Sequence, residues 1–201
     1  MIARRAHCWI LPALLCVAVI TASPLRAAPR MTSADAARAY FTDTPLIDQH
    51  GVEHRFYSDL LAGKVVIISA FYTACQGVCP VMVGRLKQVQ DYLGDRLGKN
   101  AVIITLTLDP EADTPQALER FSKKLGAKKG WYFLTGPRPE LEQVLKKLGQ
   151  YVEDKEQHSS ILILGNEPTG LWKKVFAMAS IDDLRTAVDS VLHDDGSDAG
   201  P

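Results

Sequence analysis

The chain has 201 residues, with 23 Lys and Arg against 23 Asp and Glu, and so no formal net charge. It therefore lacks the basic excess that nucleic-acid binding needs. Of four cysteines, two lie in the first twenty residues, and the remaining two are too few for a disulfide-stapled scaffold.

The N-terminus reads as an export signal. Arg4 and Arg5 precede an apolar run from Trp9 to Ile20, then small residues and Pro29, which is the anatomy of a secretory signal peptide. The run is shorter than the roughly 20 residues that span a bilayer comfortably. Cleavage near Ala27 or Ala28 is expected, with an uncleaved membrane anchor as the alternative. Leu15 stands before Cys16, where a lipidated cysteine would want a small residue. Losing residues 1–28 removes Arg4, Arg5 and Arg26 and no acid, leaving 20 basic against 23 acidic groups, a net charge near −3. What remains is one domain with room for a core.

Residues 29–44 are small and polar and read as a loose lead-in. "LIDQHGVEHRFYSDL" reads as a hairpin of two short extended pieces around Gly51. Lys64 to Tyr72 is β-branched and almost wholly apolar, as suits a strand buried on both faces. A cysteine loop follows, and Pro80 fits the first turn of a helix. Met82, Leu86, Val89, Leu93 and Leu97 form its apolar stripe. "AVIITLTLDP" is a second buried strand, and Thr114 is placed to cap a helix whose inner face is Leu118, Phe121 and Leu125. Trp131 to Leu134 is a short strand, and Leu141, Val144, Leu145 and Leu148 mark a third helix. "ILILG" and "WKKVFAMA" form a hairpin around Asn166 to Gly170. Ser180, with Asp183 three residues on, caps a last helix facing inward through Leu184, Val188 and Val191. Residues 194–201 read as a disordered tail. Four Lys-Lys doublets start at Lys123, Lys128, Lys146 and Lys173 and read as solvated faces, with docking as the alternative.

Alternating strands and helices need crossover connections and parallel pairing. The closing hairpin adds antiparallel strands at one side. The expected fold is α/β: a thioredoxin-like three-layer domain over residues 45–193, with a central mixed sheet and an extra N-terminal hairpin.

In that order Cys75 and Cys79 fall at a helix N-terminus, where free N–H groups and the helix dipole favour thiolates. A thiolate is both nucleophile and metal ligand, so metal binding and thiol–disulfide exchange are both open. The spacing Cys-x-x-x-Cys is one residue longer than the thioredoxin-type redox motif. It can close a disulfide, or splay two soft sulfurs around an ion, which favours Cu(I). Structural zinc wants four protein ligands. Of the histidines, His7 leaves with the signal, His193 lies near the tail, and His50 and His54 read as exposed hairpin residues. His158 enters a buried strand from a polar loop, and is either a third ligand or a loop histidine capping a turn. Met82 and Met178 read as packing, and Trp131 and Trp172 as core or surface-packed aromatics.

"FYTACQGVCP", "LDPEADTP" and "QHSSILIL", in that order, resemble the Sco/SenC family of copper-binding, thioredoxin-fold proteins over roughly residues 40–193. The resemblance implies copper held by Cys75, Cys79 and His158, as Cu(I) and in some states Cu(II). It implies a metallochaperone rather than an enzyme, exported to the periplasm or tethered at the inner membrane. Its client would be the binuclear copper site of a cytochrome oxidase, with a periplasmic copper donor or thiol reductant upstream. A Cys75–Cys79 disulfide would form on oxidation. Asp109 and Asp113 match the family's Asp-Pro-x-x-Asp-Thr-Pro segment, which implies a loop near the metal; turn formation and capping account for them equally well. A thiol–disulfide oxidoreductase using Cys75 and Cys79 is the alternative function. Tyr72 stands where many members carry a second phenylalanine.

Overall fold

A computed structural model describes residues 33–197. The expected signal segment, the expected cleavage site and residues 198–201 of the tail lie outside the described residues. Among those described, no helix is long and apolar enough to cross a membrane.

The core strands are β3 (Val65–Phe71), β4 (Ala101–Thr107), β5 (Trp131–Leu134), β6 (Ile161–Asn166) and β7 (Leu171–Phe176). They form one sheet in the order β5-β4-β3-β6-β7. β4 runs parallel to β3 and β5, whereas β6 is antiparallel to β3 and to β7. Every residue of β3 and β4 is buried, because helices cover both faces. Val65, Ile67 and Phe71 point into one cluster with Met82, Leu86, Leu118, Leu184 and Val188. Val66, Ile68 and Ala70 point into the other with Phe41, Phe56, Leu141 and Leu145. That two-residue alternation between two apolar layers is why these strands read as unbroken hydrophobic runs.

The first layer is built by α2 (Cys79–Leu93), α3 (Pro115–Leu125) and α5 (Ile181–Leu192). The second includes α1 (Ser33–Phe41) and α4 (Arg138–Leu148). Thr114 Oγ1 accepts from the Ala117 N–H, and Ser180 Oγ from the Asp183 N–H, as the capping patterns require. The N-terminal hairpin is present as β1 (Pro45–Ile47) paired with β2 (Glu53–Arg55). The Asp48 carboxylate accepts from the His50 and Val52 N–H groups and so ties its turn.

Four expectations change. Residues 33–41 of the presumed lead-in are helical: this alanine-rich stretch packs Phe41 against Trp172 at a ring distance of 4.8 Å, so a contact remote in sequence supplies what the short helix lacks. Residues 56–61, of which 56–60 read as extended, form a six-residue wide helical turn that buries Phe56, Tyr57, Leu60 and Leu61. α2 stops at Leu93, because Gly94 takes a positive φ. Leu97 packs against the core from the following turn rather than from the helix. His54 is not an exposed residue: its ring is half-buried and lies 3.0 Å from the Asp48 carboxylate. His50 is exposed, as expected.

Candidate metal centre

The sheet order decides where the three candidate ligands meet. Ile68 of β3 pairs with Ile163 of antiparallel β6, so the start of β6 lies at the end of β3. The loop leaving β3 carries the cysteines, and the loop entering β6 carries His158. Cys79 is the first residue of α2 and Pro80 the second, where a missing N–H leaves no helical bond unmade. Cys75, Cys79 and His158 each present one ligand atom, and the three atoms lie within 4.8 Å of one another. They are the one such group among the described residues. Both cysteines are free thiols, 9% and 3% exposed, so the group lies just under the surface.

The histidine tautomer follows from its partner. His158 Nδ1 lies 2.7 Å from the Lys155 carbonyl oxygen, which can only accept. Nδ1 therefore carries the proton of the neutral ring, and Nε2 keeps its lone pair. That Nε2 is 3.1 Å from Cys79 Sγ. The ring is steadied by the edge of Tyr72, 5.7 Å between centroids.

The two thiols differ. Burial works against a Cys75 thiolate, but hydrogen bonds from the Cys79 thiol, the Cys79 and Gly77 N–H groups and the Tyr72 hydroxyl outweigh it and hold the Cys75 thiol below its ordinary value. For Cys79, burial comes first and the proton shared with Cys75 second, and they push the thiol up to about 12. The Tyr72 phenol is held high, first by its hydrogen bond to Glu156 and then by burial and Cys75. Two sulfurs and one neutral imidazole nitrogen form a soft donor set. It suits Cu(I), falls short of the four ligands of structural zinc, and does not suit magnesium or calcium.

Neither aspartate joins the ligand group; each braces a loop that carries it. Asp113 is 1% exposed and, among the described residues, makes no salt bridge; the Lys155 ammonium senses its charge from a distance. Its carboxylate accepts from the Thr73 N–H at 3.1 Å, from the Thr73 hydroxyl and from the Thr107 hydroxyl. It thus ties the cysteine loop to the end of β4. Asp109 pairs with the Lys155 ammonium, and the Lys155 carbonyl holds His158. Lys155 also lies 5.2 Å over the Tyr72 ring.

Sequence reasoning did not find Tyr72, Thr73 or Lys155. Tyr72 had a weak signal, as a departure from the usual phenylalanine. Lys155 had none, because its carbonyl rather than its side chain touches the ligand. Met82 is buried in the core as expected, whereas Met178 is 36% exposed and lies outside it. His193 is exposed at the end of α5. Trp131 is buried, and its indole N–H donates to the Thr105 hydroxyl at 2.9 Å.

The family model described as SCO1/SenC matches residues 32–192. The chain belongs to the SCO1/SenC family. A Stutzerimonas stutzeri protein named for copper binding is 26% identical to this SCO1/SenC chain over 155 residues, covering 73% of this chain and 74% of its own. Arabidopsis thaliana ScoI, solved with copper bound, is 22% identical at a TM-score of 0.63, covering 76% of this chain and 98% of that structure. BsSco, described as a member of the Sco family of cytochrome c oxidase assembly proteins, is 24% identical at a TM-score of 0.62, covering 76% and 93%. The chain spans about half the length of the rickettsial SCO2-like relatives it matches. The fold of this SCO1/SenC protein is the thioredoxin-like one of these structures, and its Cys75, Cys79 and His158 form a group that could hold a metal ion.

Proposed function

We propose that this protein is an exported copper metallochaperone that serves the binuclear copper site of a respiratory cytochrome oxidase. The observation that carries the reading is the convergence of Cys75 Sγ, Cys79 Sγ and a lone-pair His158 Nε2 within 4.8 Å. Copper is cargo: the two thiolates and the imidazole hold Cu(I) in a low-coordination site, and a client thiolate or imidazole displaces them one by one. The shallow position of the group leaves the metal within reach of an incoming ligand. Oxidation of the two thiols to a Cys75–Cys79 disulfide would release two protons and pass two electrons to an acceptor disulfide, and would end tight binding, since disulfide sulfurs are poor ligands. Metal loading then follows the redox poise of the periplasm.

Titration of Cu(I) into the Cys75→Ser/Cys79→Ser variant tests the assignment. One high-affinity equivalent is expected in the wild type and none in the variant; unchanged stoichiometry and affinity would overturn it. His158→Ala is expected to keep Cu(I) and lose the ordered Cu(II) site. Export is tested by fractionation of the native host, with the processed N-terminus read by mass spectrometry.

The unequal thiols favour a second reading, a thiol–disulfide oxidoreductase that reduces client cysteines with Cys75 as the attacking thiolate. Reconstitution with Cu(II) separates the two. A chaperone shows an intense sulfur-to-copper charge-transfer band, whereas a pure oxidoreductase turns over a model disulfide and retains no metal.

A further inference from the structure

One cavity lies on the face of the sheet opposite the cluster that holds the cysteines. It has a volume of about 560 Å³ and lies between α1, the C-terminal end of α4 and the β6–β7 hairpin. Its floor is apolar: Phe41, Leu148, Ile163 and Trp172. Trp172 lies flat across Gly165, where a β-carbon would come within 2.3 Å of its ring. The glycine is what lets the indole form the floor rather than stand out from the sheet.

Two of the four Lys-Lys doublets line this cavity, and among the described residues no acidic one does. Their ammonium groups are not equivalent. Lys146 turns to Glu142 at 3.1 Å and to the Tyr151 ring. Lys173 donates to Ser190 on the opposite face of the sheet. Among the described residues, Lys147 and Lys174 face no carboxylate: Lys147 lies 5.2 Å over the Tyr40 ring, and Lys174 lies over Gly149 at the end of α4. The negative end of a helix dipole amounts to only about half a unit charge, so it does not neutralise two unpaired cations. An aromatic and aliphatic floor under two unpaired ammonium groups is complementary to one chemistry, an apolar body with an anionic head. The volume lies within the roughly 300–1,000 Å³ range of small-ligand sites.

We propose that this cavity binds an amphipathic anion, a medium-chain carboxylate or phosphate. Its chain packs on Phe41, Ile163 and Trp172, and its head lies between Lys147 and Lys174. The site is independent of the copper ligands and stands whether or not the metallochaperone reading does.

The test is equilibrium dialysis of the full chain against monomeric dodecanoate, with dodecanol as the neutral isostere and Lys147→Glu/Lys174→Glu as the charge-reversed variant. One equivalent of dodecanoate is expected, with dodecanol and the variant each roughly tenfold weaker or more. Copper stoichiometry and the circular dichroism spectrum should be unchanged in the variant. Equal binding of dodecanol, equal binding by the variant, or no saturable binding overturns the proposal. A parallel arm separates the sources of the ligand. Retention on phosphatidylglycerol vesicles but not on phosphatidylcholine vesicles, abolished by the charge reversal, assigns the site to a membrane lipid. Saturable binding of the monomer without vesicle retention assigns it to a free carboxylate.

Discussion

Asp113→Ala tests whether a buried carboxylate that touches no metal ligand nonetheless builds the site. Asp113 accepts hydrogen bonds from three donors, the Thr73 N–H, the Thr73 hydroxyl and the Thr107 hydroxyl. Truncation leaves all three without it. The two hydroxyls can rotate towards other acceptors, but the N–H is fixed by the backbone and stays unpaired. An unsatisfied buried donor costs about 1–3 kcal/mol, and a hydrogen bond to a charged acceptor contributes about 1.5–3 kcal/mol. Removing the carboxylate also removes the cost of burying it, which offsets part of that loss. A net destabilisation of about 3–4 kcal/mol follows, tolerable for a domain of ordinary stability, about 5–15 kcal/mol. Because Thr73 lies two residues before Cys75, the cysteine loop loses its tie to β4, and Cu(I) affinity should fall by roughly 10–100-fold, as is usual when the support of a ligand is removed. Urea denaturation reads the first quantity, through a lower midpoint at unchanged slope, and competition against a calibrated Cu(I) chelator reads the second. Thr73→Val, which removes one of the three donors, should fall between wild type and Asp113→Ala in both. A loss below about 1 kcal/mol together with unchanged copper affinity would refute the bracing role of Asp113.

Other outcomes follow from the same geometry. In the metal-free reduced protein, alkylation requires thiolate; Cys75, held low, should become reactive at a lower pH than an ordinary thiol with its value near 8.5, while Cys79, pushed up to about 12, stays protonated and slow, as peptide mapping after a pH series will read. Equal labelling of the two at pH 8 would contradict the hydrogen-bond assignment. Lys155→Met breaks the ion pair with Asp109 but keeps the carbonyl that holds His158; the pair is partly exposed, so stability should change by less than about 1 kcal/mol. Thr105→Val leaves the Trp131 indole N–H and the Ser69 hydroxyl without their buried partner, a cost of about 1–3 kcal/mol by chemical denaturation. Gly165→Ala places a methyl group inside the Trp172 ring and should destabilise by about 1–3 kcal/mol, with a shift in Trp172 emission.

Much of the architecture was legible in the residues because local rules and tertiary context agree. The runs at Val65–Phe71 and Ala101–Thr107 are apolar on every residue, and only a strand covered on both faces has use for that. Thr114 and Ser180 cap helices by side-chain chemistry that operates within three residues. Where they disagreed, context won. Ser33–Phe41 is helical through contacts with Trp172 and α4, which no local pattern reports.

The sequence by itself determined which donors are available: two thiols four residues apart at a helix start and a histidine entering a strand. Residue identity and spacing along the chain are local properties. Only the tertiary structure decided that they share one point, because antiparallel pairing of β6 with β3 brings loops about eighty residues apart to the same end of the sheet. It also decided the roles of Asp109 and Asp113, which bond the loops around the group rather than joining it, and it brought two lysine doublets to one apolar cavity. Such convergence is set by strand order and packing, and neither is a property of any one stretch of chain.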